Sequence, residues 1–279
     1  MELRMSQDAE TLDDWIYWTG CAANYDPRIA AVVKATTKVL RAGGLNVRFL
    51  GSEEACSGDA ARRLGEEGLF QQLALQNIET LQRHRARRIV THCAHCFHVM
   101  KNEYTRFGAD FEVMHHAELI SRLLEDGKIR LRGDADVQVT IHDSCYVGRY
   151  NGIFDAPRSV VKAVYGEKLV EMPRSRRDSF CCGAGGANYW YDVEKKKTPA
   201  GAQRVTEAVQ SGAELVVAEC PFCIKMLEQG AQISGADDKI RVKDIAEVVA
   251  DALDVSDTDS HSKTESSAAR SSHDGRENS

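Results

Sequence analysis

Residues 87–96 read RRIVTHCAHC. A short apolar run, RRIVTH (87–92), ends on Cys93-x-x-Cys96 with no linker between them. The pattern predicts a strand that delivers its first cysteine directly, with a helix starting inside the turn. The same order returns further on, where a strand over Glu214–Ala218 delivers Cys220-x-x-Cys223. Outward from these two points the chain repeats itself. The first copy holds Cys21, Cys56 and Cys93-x-x-Cys96. The second holds Cys145, Cys181-Cys182-Gly183 and Cys220-x-x-Cys223. Matching positions lie 124, 125 and 127 residues apart, and all nine cysteines belong to the pattern. Each copy reads as one metal-binding module.

Between the cysteines, strands alternate with helices. The first copy predicts a strand at 15–20 (WIYWTG), a helix at 27–42 stopped by Gly43-Gly44, and a strand at 45–50. A long amphipathic segment then occupies 60–84. The second copy predicts a strand at 137–142, a helix at 156–165 and a strand at 168–171. A helical stretch runs from the Gly183 loop to about 210, and a closing helix covers 243–253. Such alternation implies α/β architecture: two tandem modules with mainly parallel sheets, related by a pseudo-two-fold. The expected division is a flexible lead at 1–14, a first module at 15–133, a second at 134–253 and a disordered Ser/Asp-rich tail at 254–279. About 120 residues per module is enough for each to bury its own core. In parallel sheets ligands bind beyond the carboxyl ends of the strands, where every cysteine loop falls.

The net charge of −6, from 36 basic and 42 acidic residues, argues against nucleic acid as a partner. No apolar run reaches the roughly 18–20 residues needed to cross a bilayer. The polar N-terminus resembles no signal peptide. A cytoplasmic location is expected, with any contact at the inner face of the membrane made through partners. Thiols are kept reduced there, so the clusters read as metal or redox sites rather than disulfides. Gly183-Ala-Gly-Gly follows cysteines rather than a strand, so it is not a phosphate loop.

Cys-x-x-Cys alone serves zinc, iron–sulfur or dithiol chemistry. Five thiols in the second copy exceed the four that a tetrahedral ion takes. Neighbouring side chains tend to diverge, which suits a multi-iron cluster better than one ion. Gly183 permits positive φ and close backbone approach. The strings YWTGCAANYDPR (17–28), HCAHCFHVMKNEY (92–104), HDSCYVGRYNGIFDAPR (142–158), SFCCGAGGANYW (179–190) and ECPFCIKMLEQG (219–230) resemble the cysteine-rich CCG domain. That domain is known from heterodisulfide reductase and from iron–sulfur subunits of glycolate oxidase, glycerol-3-phosphate dehydrogenase and lactate-utilisation complexes. The resemblance implies a noncubane [4Fe-4S] centre held, and made catalytic, by Cys145, Cys181, Cys182, Cys220 and Cys223, with Gly183 beside it. In the first copy Ser57 replaces one cysteine. Cys21, Cys56, Cys93 and Cys96 remain, for a [4Fe-4S] cluster, for zinc, or for nothing.

The function so implied is that of an iron–sulfur electron-transfer subunit of a flavin-linked oxidoreductase. Its donor would be a hydroxy-acid or glycerol-phosphate dehydrogenase or electron-transfer flavoprotein, with electrons continuing toward quinone. One alternative is heterodisulfide-reductase-type cleavage of a disulfide at the cluster; another is a zinc-bound interaction module. These residues include no ferredoxin-like cysteine run and no membrane helix, so a flavoprotein, a ferredoxin-like subunit or a membrane quinone-reducing subunit is the expected partner.

Other residues are ambiguous. His92, His95 and His98 could ligate a metal or hydrogen-bond to a sulfur. His115-His116 reads as a surface helix start. His142-Asp143 could relay protons or fill the core. Arg149, Tyr150 and Asn151 match the family string, and a cation there would raise a cluster's potential. Asp155 to Arg158 reads as helix capping. Trp190 and Tyr191 could shield a cluster or pack the core. Lys195–Lys197 could dock an acidic flavoprotein or face solvent.

Overall fold

The computed structural model describes residues 14–133, 136–190 and 198–254. Most of the expected lead and tail, Tyr191 and Lys195–Lys197 fall outside them. The first copy runs β1 (Trp15–Trp18), α1 (Cys21–Tyr25), α2 (Pro27–Ala42), β2 (Val47–Arg48), α3 (Asp59–Leu64), α4 (Glu67–Arg83), β3 (Arg88–Thr91), α5 (Ala94–His98), β4 (Glu112–His115) and α6 (His116–Glu125). The second runs β5 (Val139–Ile141), α7 (Gly148–Asn151), α8 (Asp155–Tyr165), α9 (Ala200–Gln210), β6 (Leu215–Ala218), α10 (Pro221–Ser234), β7 (Arg241–Asp244) and α11 (Ile245–Ala252). Every ladder within the two sheets is parallel. The sheets are ordered β2-β1-β3-β4 and β5-β6-β7. A single parallel bridge from Leu169 to Val139 stands where β2 stands in the first sheet.

Local chemistry explains most boundaries. Asp26 caps α2, its Oδ1 accepting from Arg28 N at 2.9 Å, and Pro27 follows at the first helical position. The expected 60–84 helix is two helices, because Gly65 takes φ 83° and closes α3. The 45–50 strand shrinks to two residues and the 168–171 strand to the Leu169 bridge. Among the described residues, the helical stretch before residue 210 comprises a 3₁₀ turn at Asn188–Trp190 and α9. The closing helix begins at Ile245, not 243. Arg241–Asp244 is a strand, and Asp244 caps the helix through Ala246 N at 2.8 Å while Glu247 reaches back to Asp244 N at 2.8 Å.

The copies do not keep separate cores. One buried cluster joins Ile16, Trp18 and Phe97 to Tyr146, Val216 and Leu227. The other joins Tyr17, Leu40 and Ile120 to Ile141, Val161 and Val249. Between the modules, α2 packs on α11 and α6 packs on α8. The first long helix of each copy, α2 or α8, therefore lies on the last helix of the other. This reciprocity is the expected pseudo-two-fold, and it makes the core common property.

At one crossing the backbones nearly touch. A Cβ on Gly230 of α10 would sit 2.5 Å from Gly201 C, and one on Gly201 of α9 would sit 2.3 Å from Met226 O. No side chain there can rotate away. Gly230→Ala is expected to cost about 1–3 kcal/mol. Urea denaturation checks this, and an unchanged midpoint would mean that the helices slide apart freely.

Candidate metal centre

Four strands point cysteines at the same end of the molecule. β1 delivers Cys21, β3 Cys93, β5 Cys145 and β6 Cys220. The loops carrying Cys56 and Cys181-Cys182 fold over that end. In the second copy, Cys182 Sγ lies 3.4 Å from Cys223 Sγ, and electrostatic interactions link Cys145 to Cys181, Cys181 to Cys182 and Cys223 to Cys220. The five expected residues are thus linked pairwise, and among the described residues Cys182 and Cys223 form, with His142, the group whose ligand atoms all lie within 4.8 Å of one another. Cys181 and Cys182 do not diverge completely, as neighbours were expected to. The two thiols interact electrostatically, yet Cys181 also interacts with Cys145 and Cys182 with Cys223. In the first copy, Cys21 pairs with Cys56 and senses the charge of Cys96, and Cys93 pairs with Cys96. Cys93 also interacts electrostatically with Cys220 across the module boundary. The sequence did not foretell this link, because the repeat says nothing of how the two copies face each other.

The Cys56-Ser57-Gly58 and Cys181-Cys182-Gly183 turns are built alike. Gly183 has φ 95° and its N–H donates to Cys181 Sγ at 3.3 Å. Gly58 has φ 85° and donates to Cys56 Sγ at 3.4 Å. A side chain would strain either turn. Cys21, Cys56, Cys145 and Cys181 are half-buried, and the other five thiols are buried. Hydrogen bonds from Cys145 and Cys182 pull the Cys181 thiol far down, and the bond from Cys21 brings Cys56 to about 6. Burial opposes ionisation of Cys220, but bonds from Cys223, Cys93 and His95 hold it well below the ordinary thiol range. Bonds to partner sulfurs push Cys21, Cys145, Cys182 and Cys223 the other way, and burial pushes Cys93 up, so Cys56, Cys181 and Cys220 are the sulfurs that favour thiolate, the form that binds metal. An all-sulfur donor set suits zinc or iron–sulfur, and five thiols around one centre exceed a zinc tetrahedron.

Buried carboxylates brace the loops. Glu54 accepts from Thr19 N at 3.0 Å and Gly20 N at 2.5 Å, tying the Cys21 turn to the Cys56 loop. Burial raises it to about 7. Asp143 takes a fork from Arg158 at 2.7 and 3.1 Å and also accepts from Arg176 N at 2.7 Å. Arg158 is thus more than part of a helix start. Glu219 accepts from Ser144 N at 3.2 Å, and burial pushes its carboxyl well up. Arg149 donates to the carbonyls of Arg177 and Ser179, so it braces the loop before Cys181. Tyr150 is exposed.

The histidines separate. His92 turns away from the thiols to Tyr17 OH at 2.9 Å. His95 pairs with Asp59 at 2.7 Å; against burial, that carboxylate and the Cys220 sulfur raise it to about 10. His98 stacks on Tyr146. His115 and His116 are not on the surface. Both are fully buried at the strand end where β4 passes into α6, and His116 Nε2 lies 2.9 Å from Asp244 Oδ1 of the other copy. Burial brings His116 down to about 3 and Asp244 up to about 7, so the imidazole is neutral where it meets the carboxyl. Burial and the Arg204 cation bring His142 to about 4. Glu54, Asp59 and Arg204 carry no sequence mark, since none lies in a recognisable motif.

A cavity of about 370 Å³ opens beside the first-copy thiols. Cys21, Cys56, Ser57 and Cys96 line one wall, and Tyr189, Trp190 and Phe222 of the second copy line the other. Trp190 is about half exposed, so it borders this opening and is no part of the core.

The model of the cysteine-rich domain called CCG matches residues 15–101 and again 139–228. The chain belongs to the CCG cysteine-rich family. Among its relatives, the probable iron–sulfur-binding oxidoreductase FadF of Bacillus subtilis is 37% identical over 240 residues, covering 86% of this chain and 34% of that protein. The EtfAB:quinone oxidoreductase of Syntrophomonas wolfei is 36% identical over 248 residues, with the same two shares. One polypeptide of the dihydromethanophenazine:CoB–CoM heterodisulfide reductase of Methanosarcina barkeri is 36% identical over 249 residues, covering 87% of this chain and 60% of that polypeptide. The CCG chain thus spans about a third of the first two relatives. Among the described residues no helix is long and apolar enough to cross a membrane.

Proposed function

We propose that this CCG chain is an electron-transfer unit of an oxidoreductase, with Cys145, Cys181, Cys182, Cys220 and Cys223 holding a noncubane [4Fe-4S] cluster. Cys21, Cys56, Cys93 and Cys96 would hold a second centre, either [4Fe-4S] or zinc. Such clusters supply one-electron chemistry. The protein supplies thiolates held by braced loops, N–H donors at Gly58 and Gly183, and a buried wall that limits water. The observation that carries the proposal is the convergence of the cysteine loops of both copies, where Cys182 Sγ lies 3.4 Å from Cys223 Sγ and Cys93 interacts with Cys220 across the module boundary. Metal centres in the two copies would be near neighbours. The partners in this reading are a flavoprotein, such as electron-transfer flavoprotein, or a ferredoxin-like domain, with electrons passing toward quinone. Any membrane contact would be made through them, on the cytoplasmic side.

Anaerobic purification, iron, sulfide and zinc counting, and electron paramagnetic resonance in both redox states test this reading. Iron, acid-labile sulfide and a reducible signal are expected. Colourless protein carrying zinc alone would replace it with an interaction module.

The cavity favours a second reading, in which a disulfide is cleaved at a centre open to substrate. Its volume is within the range of small-molecule sites, and Ser57 leaves one position in its wall without a thiolate. Ser57→Cys is expected to raise the iron content of the first copy and alter its spectrum. An unchanged iron count with unchanged spectra would show that this position does not set the kind of centre.

A further inference from the structure

We propose that Arg204 is a positioning residue that fixes the ring of His142 so that an imidazole N–H faces the Cys182–Cys223 sulfur pair. The proposal rests on the reading of the second-copy thiols as cluster ligands. It assigns what sets the potential of that centre.

His142 follows β5 and is 1% exposed, and Arg204 of α9 is 0% exposed. Arg204 Nε lies 3.3 Å from His142 Nδ1. A guanidinium has N–H donors and no acceptor, so Nδ1 must accept. A neutral imidazole that accepts at Nδ1 carries its proton on Nε2. A ring nitrogen of His142 and the sulfurs of Cys182 and Cys223 all lie within 4.8 Å of one another. With Nδ1 committed to arginine, the proton on Nε2 is the ring's remaining polar hydrogen, and in this proposal Nε2 is the nitrogen that faces the sulfurs.

Arg204 is itself held in place. Its Nη1 donates to Arg174 O at 2.7 Å and Glu207 Oε2 at 2.8 Å, and its Nη2 donates to Ser179 Oγ at 3.3 Å. Ser179 Oγ in turn donates to Asp143 O at 3.3 Å. One planar side chain therefore spans the strand end before Cys145 and the loop before Cys181. Lysine could keep the charge there but not the fork. An N–H aimed at a cluster sulfur favours the more negative, reduced form and raises the potential.

The test is a potentiometric titration of the second-copy signal in the full chain. His142→Phe and Arg204→Lys should each shift the oxidised-to-reduced ratio at fixed ambient potential about tenfold toward oxidised, which is about 59 mV for one electron. Iron content should stay at the parent level. The double variant should shift no further than His142→Phe alone, because arginine acts through the ring. Potentials equal to the parent's in both iron-loaded variants would overturn the proposal. If the variants lose their iron, the parent itself decides. With ¹⁵N-histidine and exchange into D₂O, double-resonance spectroscopy of the reduced centre should show two coupled histidine nitrogens with exchangeable protons, one from His95 beside Cys220 and one from His142. A spectrum with a single such coupling, lost in His95→Gln, would also overturn it. Absence of iron from the parent would instead defeat the electron-transfer reading.

Discussion

Cys182→Ser protein, purified without oxygen, is expected to lose the second-copy centre outright. Its iron count should fall by about four per chain, and the reducible signal of that centre should vanish. The size of the effect follows from position. Cys182 is 3% exposed and interacts with both Cys181 and Cys223, so it links the Cys145 side of the set to the Cys220 side. A serine hydroxyl there gives up its proton far less readily than a thiol and is a poorer ligand for iron. The first-copy metal should remain, because the sulfur partners of Cys182, Cys181 and Cys223, both belong to the second copy. Loss of metal from both copies together, with loss of secondary structure, would show that loading and folding are one event. Retention of all the iron would remove Cys182 from the ligand set.

Arg158→Ala should be the most destabilising of the surface-remote substitutions, at about 3–5 kcal/mol. Arg158 and Asp143 side chains are 5% and 3% exposed. Deleting the guanidinium leaves Asp143 a buried carboxylate with one backbone donor, Arg176 N. It also releases Glu171, which Arg158 holds at 2.6 Å. Urea denaturation of the parent and the variant measures the loss. Pairing Arg158→Met with Asp143→Asn should recover much of it, because no charge is then stranded. A loss below about 1 kcal/mol in the single variant would mean that water reaches Asp143. Because Asp143 also secures the loop before Cys181, metal retention should fall in parallel.

The cysteine pattern carried the fold class and the site a long way. Strands ending on cysteines, with helices between them, dictate parallel sheets and thiols at one edge, and the molecule has both. What spacing cannot convey is orientation between copies. The Cys93–Cys220 link, the His116–Asp244 pair and the cavity wall built from both copies depend on how α2 meets α11 and α6 meets α8. His115-His116 misled for the same reason. Two polar residues at a helix start look solvated until another module closes over them. Boundaries such as Gly65 and Asp244 were readable in retrospect, since each carries a recognised terminator or cap. The strand at Arg241–Asp244 was hidden because its alternation is too short to separate from the helix that follows.

The reciprocal packing of the end helices bears on how the two halves can diverge. A domain with a private interior must keep its own sequence fit to fold. Here either half is held in shape partly by its sibling, so a ligand position such as residue 57 can drift to serine without collapse of the scaffold. Severed halves made separately would each bare a broad oily flank and should precipitate or recombine.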